Sequence, residues 1–229
     1  MSLILSLETA TTVCSVALTL DGKTLATEQL FVEKSHSNLL TVVIENLLHH
    51  TGVEKGDLSA VAVSKGPGSY TGLRIGVSTA KGLCYALDKP LIAINTLEVM
   101  AAEVVPFNVH EAYLCPMLDA RRMEVYTALY DANLNELSPT KALILDETSF
   151  AETLKENNVL FFGNGSDKFK ALIESNSSAY FISDRCPSAA AVGMLAYEAY
   201  QKQHFEDVAY FEPFYLKDFV ATRPKKKLL

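Results

Sequence analysis

The chain has 229 residues, of which 27 are Asp or Glu and 20 are Lys or Arg, so its formal net charge is −7. A hydrophobic fraction of 49% and a charged fraction of 21% exclude an intrinsically disordered chain and a disulfide-stabilised miniature. The acidic balance also argues against a stand-alone nucleic-acid binder, because such proteins neutralise phosphates with Lys and Arg.

The sequence predicts a cytoplasmic protein that does not enter a membrane. The apolar N-terminal run has no basic residues and is interrupted early by Glu8, unlike a signal peptide. The longest uncharged stretches, residues 9–20 and 186–197, are too short to span a bilayer. The four cysteines are far apart and form no C-x-x-C pair, which favours buried reduced thiols.

The first half of the chain alternates strand-like and helix-like patterns. Two apolar runs flank Asp21-Gly22, a strong hairpin signal. The predicted strands are residues 3–7, 13–20, 25–31, 60–64 and 91–94, and the predicted helices are residues 35–50, 69–87 and 96–105.

The second half repeats this order. Glu8 and Asp119 each end a strand and lie 111 positions apart, and the turn acids Asp21 and Asp131 lie 110 apart, about half the chain in both cases. The predicted strands are residues 112–118, 125–130, 141–145, 159–162 and 180–182, the predicted helices are residues 147–156 and 188–203, and residues 163–166 form a glycine-rich segment. The repeat predicts two similar α/β domains with mixed sheets, residues 1–106 and 107–229.

Two loops are candidates for phosphate binding. The segment from Lys65 to Arg74 follows a strand and opens a helix, where backbone N–H groups can hold an anion. It matches neither the Walker A nor the G-x-G-x-x-G pattern, and a tight turn with Ser69 as the helix N-cap is the alternative. The hydroxyl-rich turn after residue 7 is the second loop, and a simple β-turn is again the alternative. The candidate, and at most vestigial, nucleotide or phosphate loops comprise Glu8, Thr9, Thr11, Gly66, Gly68 and Ser69.

The helix after the glycine-rich loop carries a strip of small residues, Gly72, Gly76 and Ala80, beside an apolar stripe that includes Leu73 and Val77. Glycine inside a helix costs roughly 0.5–1 kcal/mol relative to alanine, so close approach of another backbone is the expected reason. The sequence leaves open whether that neighbour belongs to the same chain or to a partner. On the partner interpretation, Gly76→Leu is expected to disrupt pairing and leave the monomer largely folded.

Other polar segments remain ambiguous. Residues 119–124 place two acids and two arginines around a hairpin, which fits either a polar site in an interdomain cleft or a solvated turn with salt bridges. The basic residues 223–227 fit either an RNA contact or a solvated terminus. The five histidines form no H-x-x-x-H or H-E-x-x-H pair, so we assign no metal ligand and no catalytic residue.

Three segments together resemble the TsaB (YeaZ) family of bacterial threonylcarbamoyladenosine biosynthesis subunits. They are residues 7–18, 66–76 and 119–126, and the resemblance spans nearly the whole chain, with a weaker part between residues 139 and 180. It implies two duplicated actin-like ATPase (ribonuclease H-like) domains with mixed sheets flanked by helices. It also implies a helical partner surface, on which we expect His36, Leu40, Leu47, Tyr70, Gly72, Leu73, Gly76, Val77 and Ala80.

The resemblance implies an accessory subunit rather than an enzyme. Such a subunit works with TsaD and the ATPase TsaE to install threonylcarbamoyl on N6 of adenosine 37 in tRNAs reading codons that begin with A. The subunit is expected to form homodimers alone and heterodimers with TsaD. Contact with tRNA is expected mainly through the complex. ATP and a metal are implied for the partner subunits, with none bound tightly by this chain.

Two departures from the wider family's motifs favour a scaffold that has lost catalysis. TsaD carries its metal on a His-x-x-x-His motif, but in this chain His36 is followed four residues later by Leu40, so the second histidine is missing. Glu8 stands where the family's opening motif usually has Asp. The alternative function is a stand-alone ATPase or small-molecule kinase using Glu8, Thr9 and the glycine-rich loop; a metallopeptidase would need the missing histidine pair.

Overall fold

The computed structural model describes residues 1–31, 36–173 and 176–217. Its ten strands are β1 Leu3–Glu8, β2 Cys14–Leu20, β3 Lys23–Leu30, β4 Ala60–Gly66, β5 Leu91–Asn95, β6 Tyr113–Asp119, β7 Glu124–Tyr130, β8 Glu136–Ile144, β9 Val159–Phe162 and β10 Ala179–Ile182. Its six α-helices are α1 His36–Thr51, α2 Tyr70–Leu87, α3 Thr96–Val104, α4 Ala151–Glu156, α5 Ser166–Lys170 and α6 Ala189–Gln201, and 3-10 turns occupy Lys55–Asp57 and Val105–Phe107.

The first sheet has the strand order β3-β2-β1-β4-β5. The first three strands pair antiparallel through hairpins, whereas β1, β4 and β5 pair parallel because helices connect them. Helices α1 and α2 pack on one face over a core that includes Leu5, Leu7 and Val61. Helix α6 packs on the other face against Ile4 and Ile92.

The second sheet has the order β10-β9-β6-β7-β8, which matches the first sheet strand for strand. Helix α3 covers one face, where Leu97 and Met100 contact Leu114 and Phe162. The other face holds an aromatic cluster in which the rings of Phe161 and Phe169 lie 4.9 Å apart. The half-length repeat in the sequence therefore corresponds to two sheets of equal topology.

Two helices cross between the halves of the chain. Helix α3 lies in the first half of the sequence but packs against β6 of the second sheet, and α6 lies in the second half but packs against the first sheet. The strands divide cleanly on either side of residues 105–112, but the helices do not. The proposed boundary between residues 106 and 107 stays a prediction.

Three local predictions differ from the structure. The strand predicted at residues 141–145 is the nine-residue β8, because Pro139 is tolerated in an edge strand. The helix predicted at residues 147–156 begins only at Ala151, because Asp146 forms a turn with Thr148 and Ser149. The sequence predicts no helix at α5, because the short helix begins at Ser166, the last residue of the glycine-rich segment 163–166.

Candidate functional site

The carboxyl end of β1 carries a fully buried acid. Glu8 is 0% exposed, its Oε1 accepts a hydrogen bond from the Ala10 N–H at 2.6 Å, and its Oε2 accepts one from the Ser64 hydroxyl. Burial raises the pKa of Glu8 to about 7, although both hydrogen bonds lower it. An acid held in this way is a structural link between β1 and β4.

Ser64 and Glu103 were missed by the sequence reasoning. Ser64 is a fully buried polar residue in the apolar strand β4, a pattern that signals a hydrogen-bonded side chain. Glu103 of α3 is a second carboxyl whose pKa burial raises, although hydrogen bonds from Ser188 lower it. Its charge also raises the pKa of Glu8, so the two acids lie within electrostatic reach of each other.

The two candidate phosphate loops meet at the edge where β1 and β4 end. The Ser69 N–H donates to the Ala10 carbonyl at 2.6 Å, and the Ser69 hydroxyl accepts from the Gly72 N–H as the N-cap of α2. A Cβ built on Gly68 would lie 2.4 Å from the Ala10 carbonyl oxygen. The loops are therefore packed against each other, and a backbone amide expected to hold an anion is used within the chain.

The small-residue strip of α2 faces this same turn. The Thr9 hydroxyl donates to the Gly72 carbonyl at 2.8 Å. A Cβ on Gly72 would lie 2.0 Å from the Thr9 carbonyl oxygen, and one on Gly76 would lie 2.2 Å from Thr9 Oγ1. The neighbour that requires these glycines is thus the end of β1, and the expectation that Gly76→Leu spares the folded monomer is wrong.

Most residues expected at a partner surface lie inside the chain. Leu40, Leu47, Leu73, Val77 and Ala80 are at most 5% exposed. They pack against the first sheet because α1 and α2 turn their apolar stripes toward it.

Gly72 and Gly76 are buried as well, and Tyr70 is half-buried. His36 begins α1, but its side chain lies outside what the structure describes. A partner that contacts these helices must meet their outward residues, and among those Leu39 and Val42 of α1 and Tyr85 of α2 are exposed.

The hairpin at residues 119–124 in the second domain is a turn stabilised by ion pairs. Lys168 Nζ of α5 lies 2.7 Å from Asp119 Oδ1, and Lys217 pairs with Glu124. Partial burial acts to raise the pKa of Asp119, but the hydrogen bonds from Lys168 and the Arg121 N–H outweigh it and lower the pKa. Of the two interpretations left open, these contacts favour the salt-bridged turn.

Residues 30–225 match the family model described as TsaD: tRNA N6-adenosine threonylcarbamoyltransferase. The tRNA threonylcarbamoyladenosine biosynthesis protein TsaB of Bacillus subtilis is 36% identical over 176 residues, 75% of each chain. The Haemophilus influenzae protein of the same name is 29% identical over 96% of this chain and 95% of its own. The solved structure of YeaZ from Pseudomonas aeruginosa superposes with a TM-score of 0.83 at 25% identity, over 94% of this chain and 100% of that one.

The chain belongs to the TsaB family of tRNA threonylcarbamoyladenosine biosynthesis proteins.

Membership of the TsaB family confirms the resemblance inferred from the three sequence segments, and the likeness to YeaZ confirms the predicted actin-like fold. None of the helices in the described part of the chain is long and apolar enough to cross a membrane. Within the same ranges, no three His, Cys, Asp or Glu side chains gather closely enough to hold a metal ion. That this chain needs no metal or nucleotide of its own stays a prediction.

A surface depression of about 480 Å³ lies away from the candidate loops, at the C-terminal end of α1. None of the predicted site residues lines it, and its lining residues are Glu45, Leu48, His49, Gly52, Val53, Glu54, Lys55 and Gly56. The basic residues 223–227 lie outside the described part of the chain.

Proposed function

We propose that this TsaB-family chain is a non-catalytic accessory subunit of the cytoplasmic machinery that installs threonylcarbamoyl on N6 of adenosine 37 in tRNAs reading codons that begin with A. It binds and supports TsaD, joins TsaE in a ternary complex, and forms a homodimer when alone. tRNA contact comes mainly through the complex.

The observation that carries the non-catalytic role is the packing of the two loops that would hold phosphate. The Ala10 carbonyl accepts the Ser69 amide, and it lies against Gly68 so closely that not even a methyl group fits between them. A nucleotide phosphate held by the Ser69 amide would have to displace the Ala10 carbonyl that already accepts from this amide. This packing supports the non-catalytic role over the stand-alone ATPase.

The proposed partner surface is the outward side of α1 and α2, defined by Leu39, Val42 and Tyr85. These residues are 36%, 46% and 87% exposed, although on the inward side the same helices bury Leu40, Leu47, Leu73 and Val77. Apolar side chains left on the outside of a helix pair are typical of a surface that another protein covers.

The test is co-elution of this chain with TsaD in size-exclusion chromatography. Val42→Glu places a charge on the outward side and leaves the core untouched, so we expect loss of the complex with an unchanged circular dichroism spectrum. Ile144→Glu is the matched control, because Ile144 is 71% exposed on β8 of the second domain. Co-elution of the Val42→Glu protein at the unsubstituted level would contradict the proposed surface.

The pathway assignment has its own test. Depletion of this protein in its host should lower threonylcarbamoyladenosine in hydrolysed tRNA, and an unchanged amount would contradict the assignment. Calorimetry with ATP and Mg²⁺ addresses the alternative function, because tight nucleotide binding by this chain alone would favour the ATPase.

A further inference from the structure

The segment after α6, residues 205–217, runs across both domains, and we call it the strap. It begins at the edge of the first sheet, where the Glu206 N–H donates to the Leu91 carbonyl at 2.9 Å. Lys81 of α2 then holds it, with Nζ donating to the carbonyls of Ala209 at 3.2 Å and Phe211 at 2.9 Å. The strap is thus attached to the first domain through backbone groups.

Further along, the strap closes over the glycine-rich loop. The Phe214 N–H donates to the Lys65 carbonyl at 2.7 Å, and the Phe214 carbonyl oxygen would lie 2.7 Å from a Cβ on Gly66. The ring of Tyr215 lies 4.9 Å from that of Tyr70 at the start of α2. The backbone of the loop is therefore covered by the strap on one side and by the β1 turn on the other.

The strap reaches the second domain at its far end. Lys217 forms an ion pair with Glu124, the first residue of β7 in the 119–124 hairpin. Lys168 contributes a second cation there by donating to the Glu124 carbonyl at 3.2 Å. The same thirteen-residue segment thus contacts the glycine-rich loop of one domain and the hairpin of the other.

We propose that the strap is a latch that couples the two domains and keeps the glycine-rich loop covered. Separation of the hairpin from that loop requires either rupture of the Lys217–Glu124 pair or removal of the strap from Lys65. A partly exposed ion pair is weak, whereas a lysine that donates to two carbonyls makes charge-assisted hydrogen bonds. The latch therefore opens from its Lys217 end and stays attached at Lys81.

Hydrogen exchange of the full chain, resolved by residue, tests the latch. Lys81→Met keeps the length of the side chain but removes both donors, so we expect the Phe214 amide to exchange about tenfold faster. Because the strap couples the domains, the Glu124 amide in the second domain should also exchange several-fold faster. Lys155→Met is the matched control, because it removes a surface ion pair with Glu152 that does not involve the strap.

A second variant, Glu124→Gln, removes only the ion pair and avoids any effect of Lys81 on the stability of α2. We expect faster exchange at the hairpin and at Phe214, with Glu206 unchanged. Unchanged exchange at Glu124 in the Lys81→Met protein would reduce the strap to a local contact and overturn the coupling. A Phe214 amide that exchanges at the rate of an unfolded chain in the unsubstituted protein would overturn the latch altogether.

Discussion

Gly76 offers a sharp test of the argument that the small-residue strip serves the monomer. A methyl group added at Gly76 would lie 2.2 Å from Thr9 Oγ1, 3.4 Å from Thr9 Cβ and 3.5 Å from Val63 Cγ2. The last two are ordinary or nearly ordinary contacts, so the Thr9 hydroxyl alone creates the conflict. In Gly76→Ala, Thr9 has to rotate or α2 has to move away from β1.

The cost can be built from three contributions. Rotation of Thr9 breaks its buried hydrogen bond to the Gly72 carbonyl, which costs about 1–3 kcal/mol because the buried Thr9 hydroxyl is left without an acceptor. Movement of α2 instead costs about 1–3 kcal/mol as overpacking. Alanine offsets part of either cost by about 0.5–1 kcal/mol through its higher helix propensity. We therefore expect Gly76→Ala to lower the free energy of unfolding by about 1–2 kcal/mol.

Urea unfolding followed by circular dichroism measures this change, with Gly82→Ala as the matched control. Gly82 lies on the same helix, is exposed, and has nothing within 4 Å of its added Cβ. It should therefore gain about 0.5–1 kcal/mol from helix propensity. The same substitution on one helix is thus expected to lower the free energy of unfolding at Gly76 and to raise it at Gly82.

A double variant identifies the contact responsible. Thr9→Ala removes the hydroxyl, so Gly76→Ala should cost much less in that background, giving a favourable coupling of at least 1 kcal/mol in the double-mutant cycle. If Gly76→Ala is as stable as the unsubstituted chain, or if the two substitutions are additive, the reasoning about the strip is refuted.

Three further predictions follow from buried and paired groups. Because the pKa of Glu8 rises from 4.5 in the unfolded chain to about 7 in the folded one, its stabilising effect is complete below pH 4.5 and falls by about 3 kcal/mol as the pH rises through 7. Glu8→Gln should remove this fall in urea unfolding between pH 5 and 8, and an unaltered pH slope would contradict it. Gly193→Ala places a Cβ 2.0 Å from Thr19 Oγ1, so we expect thermal unfolding to show a Tm lowered by several degrees. An unchanged Tm would mean that α6 shifts freely and would contradict the prediction. Lys168→Met should raise the pKa of Asp119 toward its ordinary value in a carboxyl NMR titration, and a constant pKa would show that the ion pair is not what lowers it.

Much of the fold was readable from the sequence because its signals are local. The Asp21-Gly22 hairpin, the apolar spacing of α1 and the N-cap at Ser69 all act within a few residues, and the strands and helices at these three places lie within two residues of their predicted bounds. The same half-length recurrence of Glu8 and Asp119 predicted two sheets of equal topology. Local signals did not reveal where α3 and α6 pack, since α6 covers the first sheet and α3 packs against both sheets.

The candidate site shows the same division. The sequence determined which loops contain Glu8, Gly66 and Gly68, and parallel β1 and β4 bring those loops together. It could not determine that the loops seal each other, because the distance from Gly68 to the Ala10 carbonyl depends on how α2 packs on the sheet.

The two glycines of the α2 strip mark the limit most clearly. Their four-residue spacing determined that some backbone approaches the helix closely, because only glycine leaves that space. The identity of the approaching chain required the tertiary structure, which places Thr9 of the same chain there. Periodicity reports which face of a helix is buried, whereas the neighbour on that face is decided by contacts between residues far apart in sequence.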